Sequence, residues 1–206
     1  MKPESRHQCL IYEGSPSRKL PLLAAIIQGK LNEGYRCLYL NSAPMVAGIG
    51  SILASVGVDV TSEIARGSLV LSSDPITAGG EFDSSLMLAQ LEAALDAALN
   101  AGFKGLWASG DMTWEFGPGN DFSKLLEYEL GLEELLGRRK ELCGICQYHR
   151  DTLPQDAVRQ SLLVHSGIVI SETLTRINPL YLKASWPAGQ AATQKLDEMI
   201  ASLCRE

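Results

Sequence analysis

The sequence predicts a three-layer α/β/α domain built on a mostly parallel sheet. Short runs rich in Val, Ile, Leu and Cys alternate with amphipathic stretches of helical period along the chain, the order of a parallel sheet connected through helices. The short runs are apolar on successive residues rather than cleanly alternating, as in strands buried on both faces. No internal repeat, low-complexity tract or linker divides the 206 residues, so one domain is expected.

Gln8–Tyr12 reads as the first strand, closed by Glu13-Gly14-Ser15-Pro16. Leu20, Leu23, Ala24, Ile27 and Leu31 recur at helical spacing and predict a helix over 18–33. Gly34 stops it, and Arg36–Leu40 is the second strand. Ser42 is placed to cap a short helix that Gly57 ends, and Ser68–Ser72 is the third strand, followed by a turn-rich stretch. Asp83 or Ser84 caps a long helix carrying Leu88, Leu91, Leu95 and Leu99, with Gly102 as its stop. Gly105–Ser109 is the fourth strand. Phe122, Leu125, Leu126, Glu129, Leu132 and Leu136 predict a helix over 122–138. Leu142–Tyr148 is the fifth strand, 155–164 a helix, and Ile168–Ser171 the sixth strand. A last helix, about 188–203, carries Ala192, Leu196, Met199 and Leu203 on one face.

Composition excludes several functional classes. Hydrophobic residues make up 46% and charged residues 20%, near the globular average. With 24 acidic against 18 basic residues and no basic run, direct nucleic-acid binding has no electrostatic support. The apolar stretch near the start, Cys9 to Tyr12, is too short for a signal peptide or a membrane span, so a cytoplasmic protein with no membrane partner is expected. The five cysteines lie in apolar runs and read as reduced, buried thiols.

Ligands of open parallel sheets gather beyond the C-terminal strand ends. After the first strand a nucleotide-binding protein of this kind places a glycine-rich phosphate loop with a Lys and a Ser or Thr. Here the segment is Glu13-Gly14-Ser15-Pro16-Ser17-Arg18-Lys19-Leu20. It has one glycine, Pro16 lacks an N–H, Leu20 follows the lysine, and Glu13 repels phosphate. It reads as a turn entering a helix, with only weak anion binding left to Arg18 and Lys19. Past the fourth strand, Asp111 is placed either to hold a ligand hydroxyl or amine or to bond the neighbouring backbone, with Met112 and Trp114 supplying apolar contact area.

Cys143-Gly144-Ile145-Cys146 has redox-motif spacing, but on a strand residues three apart point to opposite faces. The same parity separates Cys146 from Cys143 and His149, so neither a disulfide nor a zinc site is expected from the C-x2-C-x2-H spacing. His7 and His165 read as lone imidazoles in hydrogen-bonded structure. Glu115, Asp121, Glu127 and Glu129 read as a solvated face.

The whole pattern resembles the MEDS family, the methanogen/methylotroph DcmR sensory domain, a relative of the RecA and KaiC folds. The matching pieces are His7-x-Cys9-x-Ile11-Tyr12, Gly34-Tyr35-Arg36-Cys37-Leu38-Tyr39, Gly80-Glu81-Phe82-Asp83 and Gly110-Asp111-Met112-Thr113-Trp114. Glu127-Tyr128-Glu129, Cys146-Gln147-Tyr148, His165 with Val169-Ile170, and Asn178-Pro179-Leu180-Tyr181 follow in order. The resemblance implies a RecA-like core without a working phosphate loop, sensing small organic molecules such as hydrocarbon derivatives. It also implies a signalling partner, a histidine kinase or a transcription regulator. Asp111 stands where the family usually has Glu, His149 where Asp is usual, and Ser166 where Pro follows His165.

The expected ligand pocket therefore comprises Tyr12, Glu13, Asp111, Met112, Trp114, Gln147, Tyr148 and His149, with no catalytic residue, metal or cofactor. A homodimer through the apolar face of the last helix is the expected self-association. The alternatives are a residual nucleotide-binding protein or ATPase using Asp111 as its acid, and a thiol redox protein.

Overall fold

A computed structural model describes residues 5–74, 77–78, 81–115, 122–171, 174–181 and 190–204. The strands are β1 (His7–Tyr12), β2 (Arg36–Leu40), β3 (Leu69–Ser72), β4 (Thr77–Ala78), β5 (Glu81–Phe82), β6 (Leu106–Asp111), β7 (Leu142–His149), β8 (Gly167–Ser171) and β9 (Leu174–Ile177). The α-helices are α1 (Leu20–Asn32), α2 (Ala43–Ser55), α3 (Val60–Ala65), α4 (Ser84–Asn100), α5 (Met112–Glu115), α6 (Leu125–Arg138), α7 (Gln155–Val164) and α8 (Gln190–Leu203). Seven strands form one sheet in the order β3-β2-β6-β7-β1-β8-β9, parallel except where β9 pairs antiparallel with β8. The expected three-layer, mostly parallel α/β architecture is present.

Alternation along the strands divides the core in two. Leu10, Tyr12, Tyr39 and Trp107 pack on Leu23 and Ile27 of α1 and Ile49 and Leu53 of α2. Cys9, Ile11, Leu106 and Cys146 pack on the other face with Leu91 and Leu95 of α4, Leu132 of α6, Leu162 of α7 and Ile200 of α8. Each sequence-predicted helix is found within a few residues of its expected limits. Asp83 caps α4, its carboxylate accepting from Leu86 N–H at 2.9 Å. Three kinds of element are additional: the short helices α3 and α5, the β4–β5 hairpin, and β9. All four residues of β9 are exposed, so no buried face imprinted an apolar period on its sequence.

The β6–β7 pairing at the sheet centre brings two backbones too close for a side chain. A Cβ added at Gly144 would lie 2.3 Å from the Ala108 carbonyl oxygen. Gly144→Ala is therefore expected to cost about 1–3 kcal/mol, read as a lowered urea midpoint at unchanged slope.

The apolar face of α8 is used within the chain. Ile200 and Cys204 are buried in the core and Met199 and Leu203 pack against it. Arg159 of α7 holds the helix down by donating to both carboxylate oxygens of Asp197, at 2.8 and 2.7 Å. Of the face expected to pair two copies, Met199 and Leu203 are thus partly covered within the chain, and the side chains of Ala192 and Leu196 lie outside the described residues.

Candidate functional site

The turn after β1 carries no phosphate cradle. Pro16–Lys19 makes a single 3-10 turn, and Gly14, at φ +75°, bends the chain into it. Gly14 N–H donates to the Asp151 carboxylate at 2.8 Å, while His149 Nε2 donates to the Gly14 carbonyl at 2.8 Å. The His149 ring stacks on Tyr12 with centroids 5.0 Å apart, and exposed Glu13 pairs with Arg150 at 3.1 Å. Backbone that a phosphate loop would offer to its ligand is taken up by residues 149–151. An open cleft of about 690 Å³ remains beside it, lined by Glu13, Gly14, Arg18, Lys19 and Asp151 among others.

Beneath this turn lies a row of buried polar groups that bond one another. Tyr12 O–H donates to Asp111 Oδ2 at 3.0 Å, and Thr113 N–H donates to Asp111 Oδ1 at 2.9 Å. Gln147 Nε2 donates to Ser109 Oγ at 2.9 Å, and Asn41 Nδ2 donates to the Tyr39 hydroxyl at 3.0 Å. Asp111 thus accepts both from the neighbouring Thr113 backbone and from the distant Tyr12 side chain. Burial, then the nearby Asp111 carboxylate, pushes the Tyr12 hydroxyl well above its ordinary value, so it stays a donor. Tyr12→Phe leaves Asp111 short of a donor and is expected to cost about 1–3 kcal/mol in denaturant unfolding.

The opposite face of the sheet holds a different group. His7 of β1, Cys146 of β7, Glu129 of α6 and His165, directly after α7, meet in the interior, each almost fully buried. Their ligand-type atoms all lie within 4.8 Å of one another. Glu129 Oε2 is 3.2 Å from His7 Nε2, 3.4 Å from His165 Nε2 and 3.8 Å from Cys146 Sγ. Tyr148 O–H donates to Glu129 Oε1, and His7 Nδ1 donates to Glu133 at 2.7 Å. His165 Nδ1 lies 2.7 Å from the Ser161 carbonyl, which only accepts, so Nδ1 carries the proton and Nε2 a lone pair.

Electrostatics in this pocket are set by opposing causes. Burial disfavours a charged Glu129, but His165, His7 and Tyr148 outweigh it and hold the carboxyl below its ordinary value. Burial also opposes charge on His7, yet Glu129 and Glu133 push that ring up to about 9. His165 is brought down to about 4, by burial first and then by His7. His165 Nε2 faces the Glu129 carboxylate at 3.4 Å, a contact that is favourable only with a positive charge or a proton between them. Among the described residues, nothing donates to that buried Nε2.

His7 and Cys146 also line a small cavity of about 30 Å³ between the sheet, α4 and α6. Its other walls are mostly apolar and include Leu40, Met87, Leu91, Met112, Tyr128 and Leu132.

The family description "MEthanogen/methylotroph, DcmR Sensory domain" matches residues 6–166. The chain belongs to the MEDS family. This MEDS domain is also similar to the transcriptional repressor DcmR of Methylorubrum extorquens, 28% identical over 159 residues. The alignment takes in 77% of this chain, and the chain spans 57% of that relative's length. In fold it is similar to an uncharacterized protein from Pyrococcus horikoshii, solved in complex with an unknown peptide. The TM-score is 0.57 at 15% identity, covering 84% of this chain and 82% of the other. The family is described as a sensory domain, and the relative is by its name a transcriptional repressor. No described helix is long and apolar enough to cross a membrane.

The eight residues expected to form one pocket are divided by the sheet of this MEDS domain. Tyr12, Asp111, Gln147 and His149 share the α1–α2 side, whereas Met112 and Tyr148 belong to the other core. Glu13 is at the exposed rim, and the Trp114 side chain lies outside the described residues. The same parity puts Cys143 and Cys146 on opposite faces, as expected, and no cysteine is in a disulfide. Two sequence readings are corrected. His7 and His165 are not lone: their rings are 4.0 Å apart, because β1 and the start of β8 are neighbours. Glu129 is not on a solvated face but 1% exposed. Its position held the signal, since an acid four residues after Leu125 and three before Leu132 falls inside the apolar stripe of its helix.

Proposed function

We propose that this MEDS domain is a non-catalytic sensor of a small, largely apolar organic molecule, such as a hydrocarbon derivative, and passes its state to a histidine kinase or transcription regulator. The observation that carries this reading is the cavity of about 30 Å³, whose mostly apolar walls are broken by His7, Ser109, Tyr128 and the two cysteines Cys143 and Cys146. Apolar walls with few fixed polar groups are the usual make-up of small-ligand sites. The volume is room for about two or three heavy atoms, which favours a one- or two-carbon compound over a nucleotide. The cavity lies between the sheet and helices α4 and α6, so a ligand that prefers one spacing of these helices biases the domain between two states. The similarity to a transcriptional repressor supports a regulatory output. The engaged Gly14 amide and the missing glycines argue against nucleotide turnover.

A thermal-shift panel tests this reading, comparing small alcohols, halogenated alkanes, short organic acids and magnesium nucleotides. Stabilisation by a one- or two-carbon compound, saturable and without response to nucleotide, is the expected result. A response confined to magnesium ATP overturns it and restores the nucleotide alternative.

A further inference from the structure

We infer that His7, Glu129, Cys146 and His165 bind one divalent transition-metal ion in a tetrahedral site, zinc by the chemistry of the set. Two imidazoles, a thiolate and a carboxylate are all zinc ligands, and the mixed nitrogen, sulfur and oxygen set disfavours calcium or magnesium. Bonds of about 2.0–2.3 Å in a tetrahedron space the ligand atoms by about 3.3–3.8 Å. Around the candidate centre, Glu129 Oε2 stands 3.2, 3.4 and 3.8 Å from His7 Nε2, His165 Nε2 and Cys146 Sγ, and Sγ is 3.9 Å from His7 Nε2.

Independent features point the same way. His165 Nε2 is fully buried, has no hydrogen-bond partner among the described residues, and is turned to the Glu129 carboxylate at 3.4 Å. Only a cation or a proton between them makes that contact favourable. Each imidazole is also oriented as metal-bound histidines are, with its outward Nδ1–H donated, in His7 to the Glu133 carboxylate and in His165 to the Ser161 carbonyl. Tyr148 fixes the second Glu129 oxygen in the same way. A thiolate and a carboxylate together cancel the ion's two positive charges, which removes the cost of net charge in the interior.

The four ligands come from β1, β7, α6 and the α7–β8 connection, so the ion would tie together two strands, one helix and a connection that lie far apart in the sequence. The inference stands on these contacts and not on the ligand reading. It differs from the C-x2-C-x2-H spacing in the sequence, because only Cys146 of that pattern takes part.

The test is metal analysis of the full, tag-free chain after growth in zinc-replete medium and again after chelation and reloading. The expected content is about one zinc per chain, falling to about one tenth in Cys146→Ser and His165→Ala and unchanged in Cys143→Ser. Where a variant does not fold, cobalt loading of the wild-type chain decides. Tetrahedral visible bands with a thiolate-to-cobalt charge-transfer band support the site. A folded wild-type chain that takes up neither zinc nor tetrahedral cobalt overturns it, and so does loss of the metal in Cys143→Ser.

Discussion

Glu129→Ala is expected to lower folding stability by about 3–5 kcal/mol, the range for breaking a buried charge network by removing one member. The carboxylate accepts from Tyr148 and meets His7, His165 and Cys146 in a site with no water-exposed edge on Glu129, which is 1% exposed. Its removal strands two imidazoles and a hydroxyl in the interior. Glu127, two residues earlier on the same helix, is exposed and bonds only Ser84 at 2.8 Å among the contacts resolved for it. Glu127→Ala should therefore cost less than about 1 kcal/mol. Urea unfolding of the pair checks the contrast. Equal effects would mean that Glu129 is not the centre of a buried network.

The second large effect concerns the ligand. Ala108 of β6 lines the small cavity, and Ala108→Val places two more carbon atoms in a volume of about 30 Å³. A branched residue suits a strand, so the fold should survive with a change of at most about 1–3 kcal/mol. The ligand response should not survive. At about 100 times the dissociation constant a ligand adds about 2.7 kcal/mol of stability, and this increment should vanish in the variant. Thermal unfolding with and without the stabilising compound measures it. A variant that keeps the full increment would place the ligand elsewhere, most plainly in the open cleft beside Arg18 and Lys19.

How far the sequence carried is clearest from individual residues. The large elements were legible because each has a buried face: Leu91 and Leu95 on α4, Leu23 and Ile27 on α1, Ile11 and Cys9 on β1. The β9 strand was not, since an exposed edge imposes no apolar period. The failed phosphate loop was legible in Gly14 and Pro16, where a count of available N–H groups suffices. Strand parity was legible within one strand, and correctly separated Cys143 from Cys146. It was not carried between strands. Tyr12 and Tyr148 both sit near strand ends, yet they face opposite sides, because Tyr12 pairs with His149 rather than Tyr148 in the β1–β7 register. The buried cluster joins residues up to 158 positions apart, from His7 to His165, and no local pattern announces such a meeting. Glu129 alone betrayed it, as an acid in an apolar stripe.

The central claim, a small apolar molecule held between the sheet, α4 and α6, is tested most directly by carbon-13 methyl spectra of the methionines. The sequence holds five, of which Met87 and Met112 line the cavity while Met45 packs in the opposite core. Titration with the compound that stabilises the protein should shift Met87 and Met112 in a saturable way and leave Met45 in place. Shifts confined to Met45, or none at Met87 and Met112 while stabilisation persists, would contradict the account.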